Sequence, residues 1–476
     1  MKYLAIIFLV SCSFMLRGQE QENSRPTVAG KPFLMLGAQL RTDFFLQLEN
    51  KTPEELEPYF ELASRLNITV LQVPVSWRDV EPEKGAYSGR LPETYIRYCE
   101  KYGMKLELLW FGSYMCGFSV EGYIPDYVRK DTVSFPRLRH RFNGWLGEHF
   151  FLAPDSPQLV ERESRALKAL MAAVKNYNRI HGGNTVTGIQ VQNEPDMLAT
   201  RHNALHGLSP DELWPALIRM LDKLGRVVKA SGYPAYTRVN LTTTYPDYIE
   251  KSKAIVATEG IDFVGLDPYE NRVDSITRKL EALAAIPGNY AHIAENGGEY
   301  ENTDILALKT LSMGYGYSVF EVVTTSHPFL KEWTHRGVYN PDFSPKPHTR
   351  RTADAFGIIR KAWYPFATAA LQNIVVFNTD RDEVQEVDSA RKNTWSATVS
   401  WQTGTGGVAF AVELDDGLLV ASTRADSMHF PGLAITKVEK GFYDPEGQWI
   451  AEGTEIVGGE LKLAPGTVYR IYFTRK

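Results

Sequence analysis

The sequence predicts an α/β chain, a closed (β/α)8 barrel of the TIM type followed by an all-β sandwich, on three observations. Between Pro32 and Val323, eight short apolar segments that read as strands alternate with mostly helical ones. That pattern fits a parallel sheet closed on itself better than an open doubly wound sheet. Two of the segments, the fourth and the seventh, end in a glutamate followed by a turn. Past about Tyr364 the texture changes to short alternating stretches with glycine-rich turns between them, as in a β-sandwich. The domains implied are a leader over residues 1–23, a barrel over 24–365 and a sandwich over 366–476.

In order along the chain, Pro32 to Gln39 is the first strand, and Thr52 to Leu66 a helix opened by Thr52-Pro53-Glu54-Glu55, a capped acidic start. Asn67 to Trp77 is the second strand, Leu91 to Tyr102 the second helix and Met104 to Trp110 the third strand. Gly112 to Gln158, dense in Tyr, Phe, Pro, Arg and Gly, reads as a long irregular insertion, and insertions of that size usually form functional walls or lids. Leu159 to Ile180 is helical, with Leu167, Leu170, Met171 and Val174 on one face. Strands follow at Gly188–Gln192, Ala235–Leu241, Ile261–Tyr269, Tyr290–Gly298 and Gly316–Val323, with a helix over Pro210–Ala230. In the last domain, Thr394–Trp401, Gly407–Val412, Leu418–Thr423, Ile435–Lys440 and Thr467–Thr474 alternate as strands do.

The stretch Thr187-Gly-Ile-Gln-Val-Gln-Asn-Glu-Pro-Asp196 organises the rest. Pro195 cannot donate to a strand ladder, so the sheet stops where Glu194 emerges. An acid capping a helix with Pro195 at its first position is the plain alternative. The catalytic reading gains from Tyr290-Ala-His-Ile-Ala-Glu295-Asn-Gly-Gly298, where a second strand ends in a glutamate and a glycine turn. Parallel barrels carry their chemistry at the C-terminal ends of the strands, and Glu194 and Glu295 both fall there. Glycosidic cleavage needs a proton donor for the leaving oxygen and an anion beside the anomeric carbon. Glu194 is therefore the candidate acid/base and Glu295 the candidate nucleophile, with carboxyls expected roughly 5–5.5 Å apart for retention of configuration. Glu299 is a rival nucleophile, although an acid beyond two glycines more often opens a helix.

The chain's 476 residues suffice for two domains. A formal net charge of −5 gives no reason to expect nucleic acid or an anionic membrane surface as partner. Aromatic content of 12% suits stacking on sugar faces as well as a large core. Met1-Lys2 followed by an apolar run has the form of a secretory signal. Leu9-Val10-Ser11-Cys12 resembles a bacterial lipobox, which implies an exported protein, periplasmic or carried on the outer membrane by a lipid at Cys12. Cys99 and Cys116 are too few for a disulfide framework and are expected to be free and structurally minor. His202 and His206 have helical metal spacing without the adjacent glutamate of a zinc protease, and Gly404-Thr-Gly-Gly407 lacks the setting of a nucleotide loop. No metal, flavin or nicotinamide is suggested.

These motifs resemble glycoside hydrolase clan A, retaining enzymes whose acid/base follows an asparagine at the end of strand four and whose nucleophile closes strand seven. Asn193-Glu194-Pro195 matches the first element and Glu295-Asn296-Gly297 is similar to the second. Within the clan, several blocks resemble β-galactosidase-like proteins near family 35: Pro32-Phe-Leu-Met-Leu-Gly, Val73-Pro-Val-Ser-Trp77, Glu81-Pro82-Glu83-Lys84-Gly85 and Leu108-Leu-Trp-Phe-Gly-Ser113. The segments Gly417–Arg424 and Val438–Trp449 are similar to the C-terminal domain such proteins carry. One departure is that family 35 typically has Glu-Asn-Glu at strand four, where this chain has Gln192-Asn193-Glu194. The resemblance implies that Asn193 bonds a sugar 2-hydroxyl. Tyr269, after Asp267-Pro268, could hold the nucleophile's carboxylate, and Trp110 and Trp333 are candidate sugar-stacking platforms. The implied activity is an exported retaining glycosidase that cleaves terminal β-linked sugars from an oligo- or polysaccharide. The alternatives are another clan A β-glycosidase or endo-β-glycanase, or a non-catalytic glycan-binding protein.

Overall fold

The structure is a computed structural model, which describes residues 25–28, 30–144, 147–199, 210–325, 336–378, 385–387, 399–402, 407–429, 434–455 and 460–474. The leader with Cys12, the histidines His202 and His206, Trp333 and residues 404–406 lie outside the described residues.

Eight parallel strands close the barrel: β1 (Leu36–Gln39), β2 (Val70–Ser76), β3 (Lys105–Met115), β4 (Val186–Asn193), β5 (Tyr236–Thr242), β6 (Phe263–Asp267), β7 (His292–Gly297) and β8 (Gly316–Phe320). They follow one another around the ring, and β8 returns to β1 with Phe320 opposite Gln39. Each is followed by a helix: α1 (Glu57–Ser64), α2 (Arg90–Lys101), α3 (Pro157–His181), α4 (Pro210–Ala230), α5 (Tyr248–Val256), α6 (Val273–Ala284), α7 (Thr303–Ser312) and α8 (Thr349–Lys361). This is the (β/α)8 architecture the alternation predicts.

Local chemistry sets the element ends. Before α1, Thr52 and Glu55 form a reciprocal capping box around Pro53, which removes orphan donors at the start of that turn. In α3, Ser156 caps the Leu159 N–H, Pro157 takes the first position, and Gly182 at φ 76 ends the helix. Leu167, Leu170, Met171 and Val174 are its buried stripe, as the spacing predicts.

The Gly112–Gln158 insertion is more regular than its composition suggests. Strand β3 runs on to Met115, and Ser119–Val120, Arg137–Gly144 and Gly147–Leu152 form a three-stranded antiparallel sheet with Asp126–Lys130 as a short helix. Aromatic residues favour strands, but arginines, prolines and glycines interrupt the alternation by which a strand is read.

In the C-terminal region a six-stranded antiparallel sheet (Ile374–Asn378, Val408–Leu414, Gly417–Ser422, Val468–Thr474, Ala434–Tyr443, Trp449–Glu455) faces a four-stranded one (Gln385–Val387, Val399–Gln402, Asp426–His429, Glu460–Leu463). Ala411, Leu418, Val420 and Ile471 of the first share one core with Met428, Leu461 and Leu463 of the second. The Trp363 indole donates to the Asp444 carbonyl at 3.0 Å and Lys361 to that of Gly466 at 2.8 Å, joining this sandwich to the end of α8.

The barrel's interior is polar at mid-height. Glu107 of β3 and Arg238 of β5 form an ion pair, with side chains 0% and 1% exposed, and Gln72 of β2 donates to Glu107 at 2.9 Å. Nearer the base, His292 of β7 shares a 3.1 Å bond with Ser318 of β8. Below that, Phe33, Met35, Val70, Phe263 and Tyr290 plug the N-terminal end.

Candidate active site

Strand β4 ends in a contorted turn. Gln192 has φ 63 and Glu194 φ 45, in the left-handed region that side-chain-bearing residues seldom enter unless their surroundings over-determine it. Here they do. The Glu194 N–H donates to Asn240 Oδ1 at 3.1 Å, and the Cys116 N–H donates to the Asn193 carbonyl at 3.0 Å. Gly117, at φ +74, lies so close to the chain beyond Glu194 that a Cβ there would sit 2.4 Å from the Leu198 nitrogen. Only glycine can carry that turn.

Asn240, midway along the β5 end, is the hub. Its oxygen is committed to the Glu194 N–H, so its nitrogen faces the other way and donates to Asn193 Oδ1 at 2.9 Å and Asp267 Oδ2 at 2.8 Å. Asn193 Oδ1 also accepts from Gln190 at 2.9 Å. Both donors on that oxygen turn the Asn193 amide nitrogen toward the Cys116 thiol, 3.5 Å away.

Gln192 explains the departure from Glu-Asn-Glu. Its nitrogen donates to Glu163 Oε1 at 2.6 Å and its oxygen accepts the Tyr114 N–H at 3.0 Å. Glu163, fully buried on α3, also takes the Trp110 indole N–H at 2.8 Å and the Ser113 hydroxyl. A glutamate at position 192 would set a second carboxylate against the first and lack the N–H to bond it.

Across the mouth, Glu295 sits in β7 at 5% exposure. The Tyr269 hydroxyl donates to its Oε2, and the Arg336 guanidinium stacks 3.8 Å from the centre of the Tyr269 ring. Asn296, next in β7, ties the two strand ends together. Its nitrogen donates to the Pro268 and Glu270 carbonyls at 2.7 and 2.9 Å, and its oxygen accepts from Tyr317 at 3.0 Å. Beyond β1, Arg41 is buried in a bidentate bond to Asp43 at 2.9 and 2.6 Å, and its charge reaches Glu295. Glu299, the rival nucleophile, folds back over Gly297, where a Cβ would stand 2.2 Å from its Oε2.

Electrostatics separates the two glutamates. Burial, then the neighbouring Glu295 and Asp196, pushes Glu194 up to about 8, against smaller opposing bonds from Cys116 and Asp267. Burial also raises Glu295, but the Tyr269 hydroxyl and the charges of Arg41, Arg238 and Arg336 pull the other way. Asp196 is raised by burial to about 7, and Asp267 well above the usual carboxylate range by burial, then by Glu295 and Glu194. The mouth thus holds two buried carboxyls, both raised by burial, of which only Glu295 has nearby cations opposing the rise.

Of the residues singled out in the sequence, Asn193, Glu194, Tyr269 and Glu295 come together. Trp110 is corrected: fully buried with its N–H spent on Glu163, it presents no face to a sugar. Cys99 and Cys116 form no disulfide among the described residues, but Cys116 is not minor, since it flanks both Asn193 and Glu194. The sequence reading missed Asn240, Arg41 and Arg238. Asn240 and Arg238 did leave a trace, as polar residues alternating with apolar Val239 and Leu241.

Comparison with known proteins agrees with this fold. A family model described as a domain of unknown function, DUF4978, matches residues 216–384, the half of the barrel that carries Glu295. No curated protein matches. Among solved structures, the chain resembles the exo-β-1,4-mannosidase Op5Man5 from Opitutaceae bacterium strain TAV5, at 14% identity and TM-score 0.50 over 70% of this chain and 61% of that one. It also resembles GH5_18 from Streptomyces cattleya in complex with GlcNAc, at 12% identity and TM-score 0.52 over 71% and 82%. A third is the β-galactosidase from Rahnella sp. R3, at 15% identity and TM-score 0.51 over 72% and 58%. These neighbours are glycoside hydrolases on the eight-stranded parallel barrel of clan A, and at such identities the likeness is one of fold. The chain spans less than two thirds of the length of the mannosidase.

Proposed function

We propose that this chain is a retaining β-glycoside hydrolase in which Glu194 is the acid/base and Glu295 the nucleophile. The observation that carries the reading is the pair itself: two buried carboxyls at the ends of β4 and β7, with acidic neighbours raising Glu194 and the charges of three arginines acting on Glu295. In the first step Glu194 protonates the leaving oxygen while Glu295 attacks the anomeric carbon. In the second, Glu194 takes the proton from the incoming water. Tyr269 holds Glu295 on the line of attack, and the Asn193 amide, in the role the clan A motif implies, bonds the sugar's 2-hydroxyl, where a bond that strengthens in the transition state lowers the barrier.

The substrate class is a terminal β-linked sugar of an oligo- or polysaccharide, and a β-galactoside is the reading the family 35-like blocks favour. The rival sugar is a β-mannoside, favoured by the fold-level likeness to Op5Man5. Turnover of aryl β-galactoside, β-mannoside and β-glucoside, with the first-formed anomer followed by NMR, tests both levels. A β-anomer product from any of them supports retention. An α-anomer product overturns it, and no turnover of any overturns hydrolysis. Export, with a lipid at Cys12, belongs to the same proposal, and metabolic labelling with a radioactive fatty acid tests it against a Cys12→Ser variant.

A further inference from the structure

Asp267 has no role in the steps above, yet it is one of the most constrained acids in the molecule. It closes β6, is 3% exposed, and its two oxygens have different surroundings. Oδ2 accepts the Asn240 N–H at 2.8 Å, while Oδ1 meets no donor among the described residues. The Asn240 amide cannot be turned to change this, because its own oxygen is held by the backbone N–H of Glu194 at 3.1 Å. Oδ2 is therefore the acceptor, and any proton on Asp267 must sit on Oδ1. The Glu194 carboxyl lies within hydrogen-bonding reach of the Asp267 carboxyl.

Two buried carboxyls in contact cannot both be anions without a compensating cation. The charges around this pair are Glu295 and Asp196, both acidic, and Arg238, which is already committed to Glu107. The Cys116 thiol and the Tyr269 hydroxyl are the other titratable groups at its edge. A proton on Oδ1 gives the orphaned oxygen its partner and removes the repulsion.

We propose that Asp267 is a positioning residue for the acid/base, a carboxylic acid that stays protonated and donates its Oδ1 hydrogen to Glu194. The proton does not leave Asp267 during turnover. Glu194 alone cycles, and the bond from Asp267 holds it at one angle whether it carries its own proton or has given it to the leaving group. This rests on the assignment of Glu194 as acid/base.

The test compares Asp267→Asn and Asp267→Ala in the full chain, with kcat/KM for an active aryl β-glycoside measured across pH. The Ala variant loses the donor, so it is expected to fall about 10²-fold. Its alkaline limb should move to higher pH, because the Glu194 anion is no longer bonded. The Asn variant is neutral and keeps an N–H to donate. It is expected to recover at least about tenfold of that loss, with the limb near its wild-type position. Equal losses in both variants, no loss in Ala, or an alkaline limb that moves to lower pH in Asn would each overturn the proposal. The last is what removal of a negative charge would do. A second readout needs no turnover: the infrared difference between wild type and Asp267→Asn at neutral pH should contain the carbonyl band of a protonated, buried carboxyl. Its absence also overturns the proposal, whereas its presence in a protein that hydrolyses nothing would leave Asp267 neutral and refute only the enzymatic reading.

Discussion

The barrel holds two layers of buried charge, and they are built on opposite rules. At mid-height Glu107 has its cation in Arg238 and a second donor in Gln72. One layer higher, Glu194, Asp267 and Asp196 are equally enclosed, yet no salt bridge is made to any of them among the described residues, and Asp267 and Asp196 each keep an oxygen without a donor. Satisfying a buried acid makes it architecture. Leaving it short of partners raises its proton affinity.

The sharpest way to break this contrast is to neutralise one acid in each layer. In the upper layer, Glu194→Gln and Glu295→Gln should each reduce hydrolysis of an activated aryl β-glycoside by about 10³-fold or more while circular dichroism stays native. Unchanged turnover in either variant would end that residue's assignment. In the middle layer, Glu107→Gln leaves Arg238 charged and buried without its anion, which should cost about 3–5 kcal/mol of stability in denaturant titration. A melt like that of wild type would mean the two layers do not differ as described.

A smaller effect is expected from Tyr269→Phe. Losing a hydrogen bond to a charged carboxylate, about 1.5–3 kcal/mol, should lower kcat by about 10–100-fold with KM little changed. A variant with wild-type kcat would reduce Tyr269 to packing. The smallest effect concerns pH. Glu194 is raised to about 8 in the fold from about 4.3 in an unfolded chain. The folded state therefore binds this proton more tightly, and the stability it contributes is complete below the unfolded value and lost as pH rises through about 8. Glu194→Gln carries no such liability. Its melting temperature should exceed that of wild type by more at pH 8 than at pH 5, and a constant difference across pH would contradict the cause given for the shift.

Much of this was legible in the sequence because it follows from short-range rules. The strand–helix alternation specified the barrel, the Thr52 capping box was readable in four letters, and Pro195 marked where β4 must stop. What was not legible depends on closure. Trp110 looked like a platform because it stands near the end of an apolar strand. Only the approach of α3, which brings Glu163 to its indole, turns it into core. Arg41 lies in a loop with no periodicity to reveal it, and its partners Asp43 and Tyr123 come together only once the insertion has folded over β1. The antiparallel sheet of the insertion was hidden because charged and aromatic residues share its strands without a clear alternation.

One amide side chain, Asn240, has its three bonds on two other strands, to Asn193 and Glu194 of the β4 end and to Asp267 of β6. A slip of any one of these three staves by a single residue would misplace Glu194, Asn193 and Asp267 at once. Under the roles proposed for Glu194 and Asp267, drift in the scaffold would therefore be felt immediately as lost chemistry. A single side chain thus wedges three barrel strands into one register.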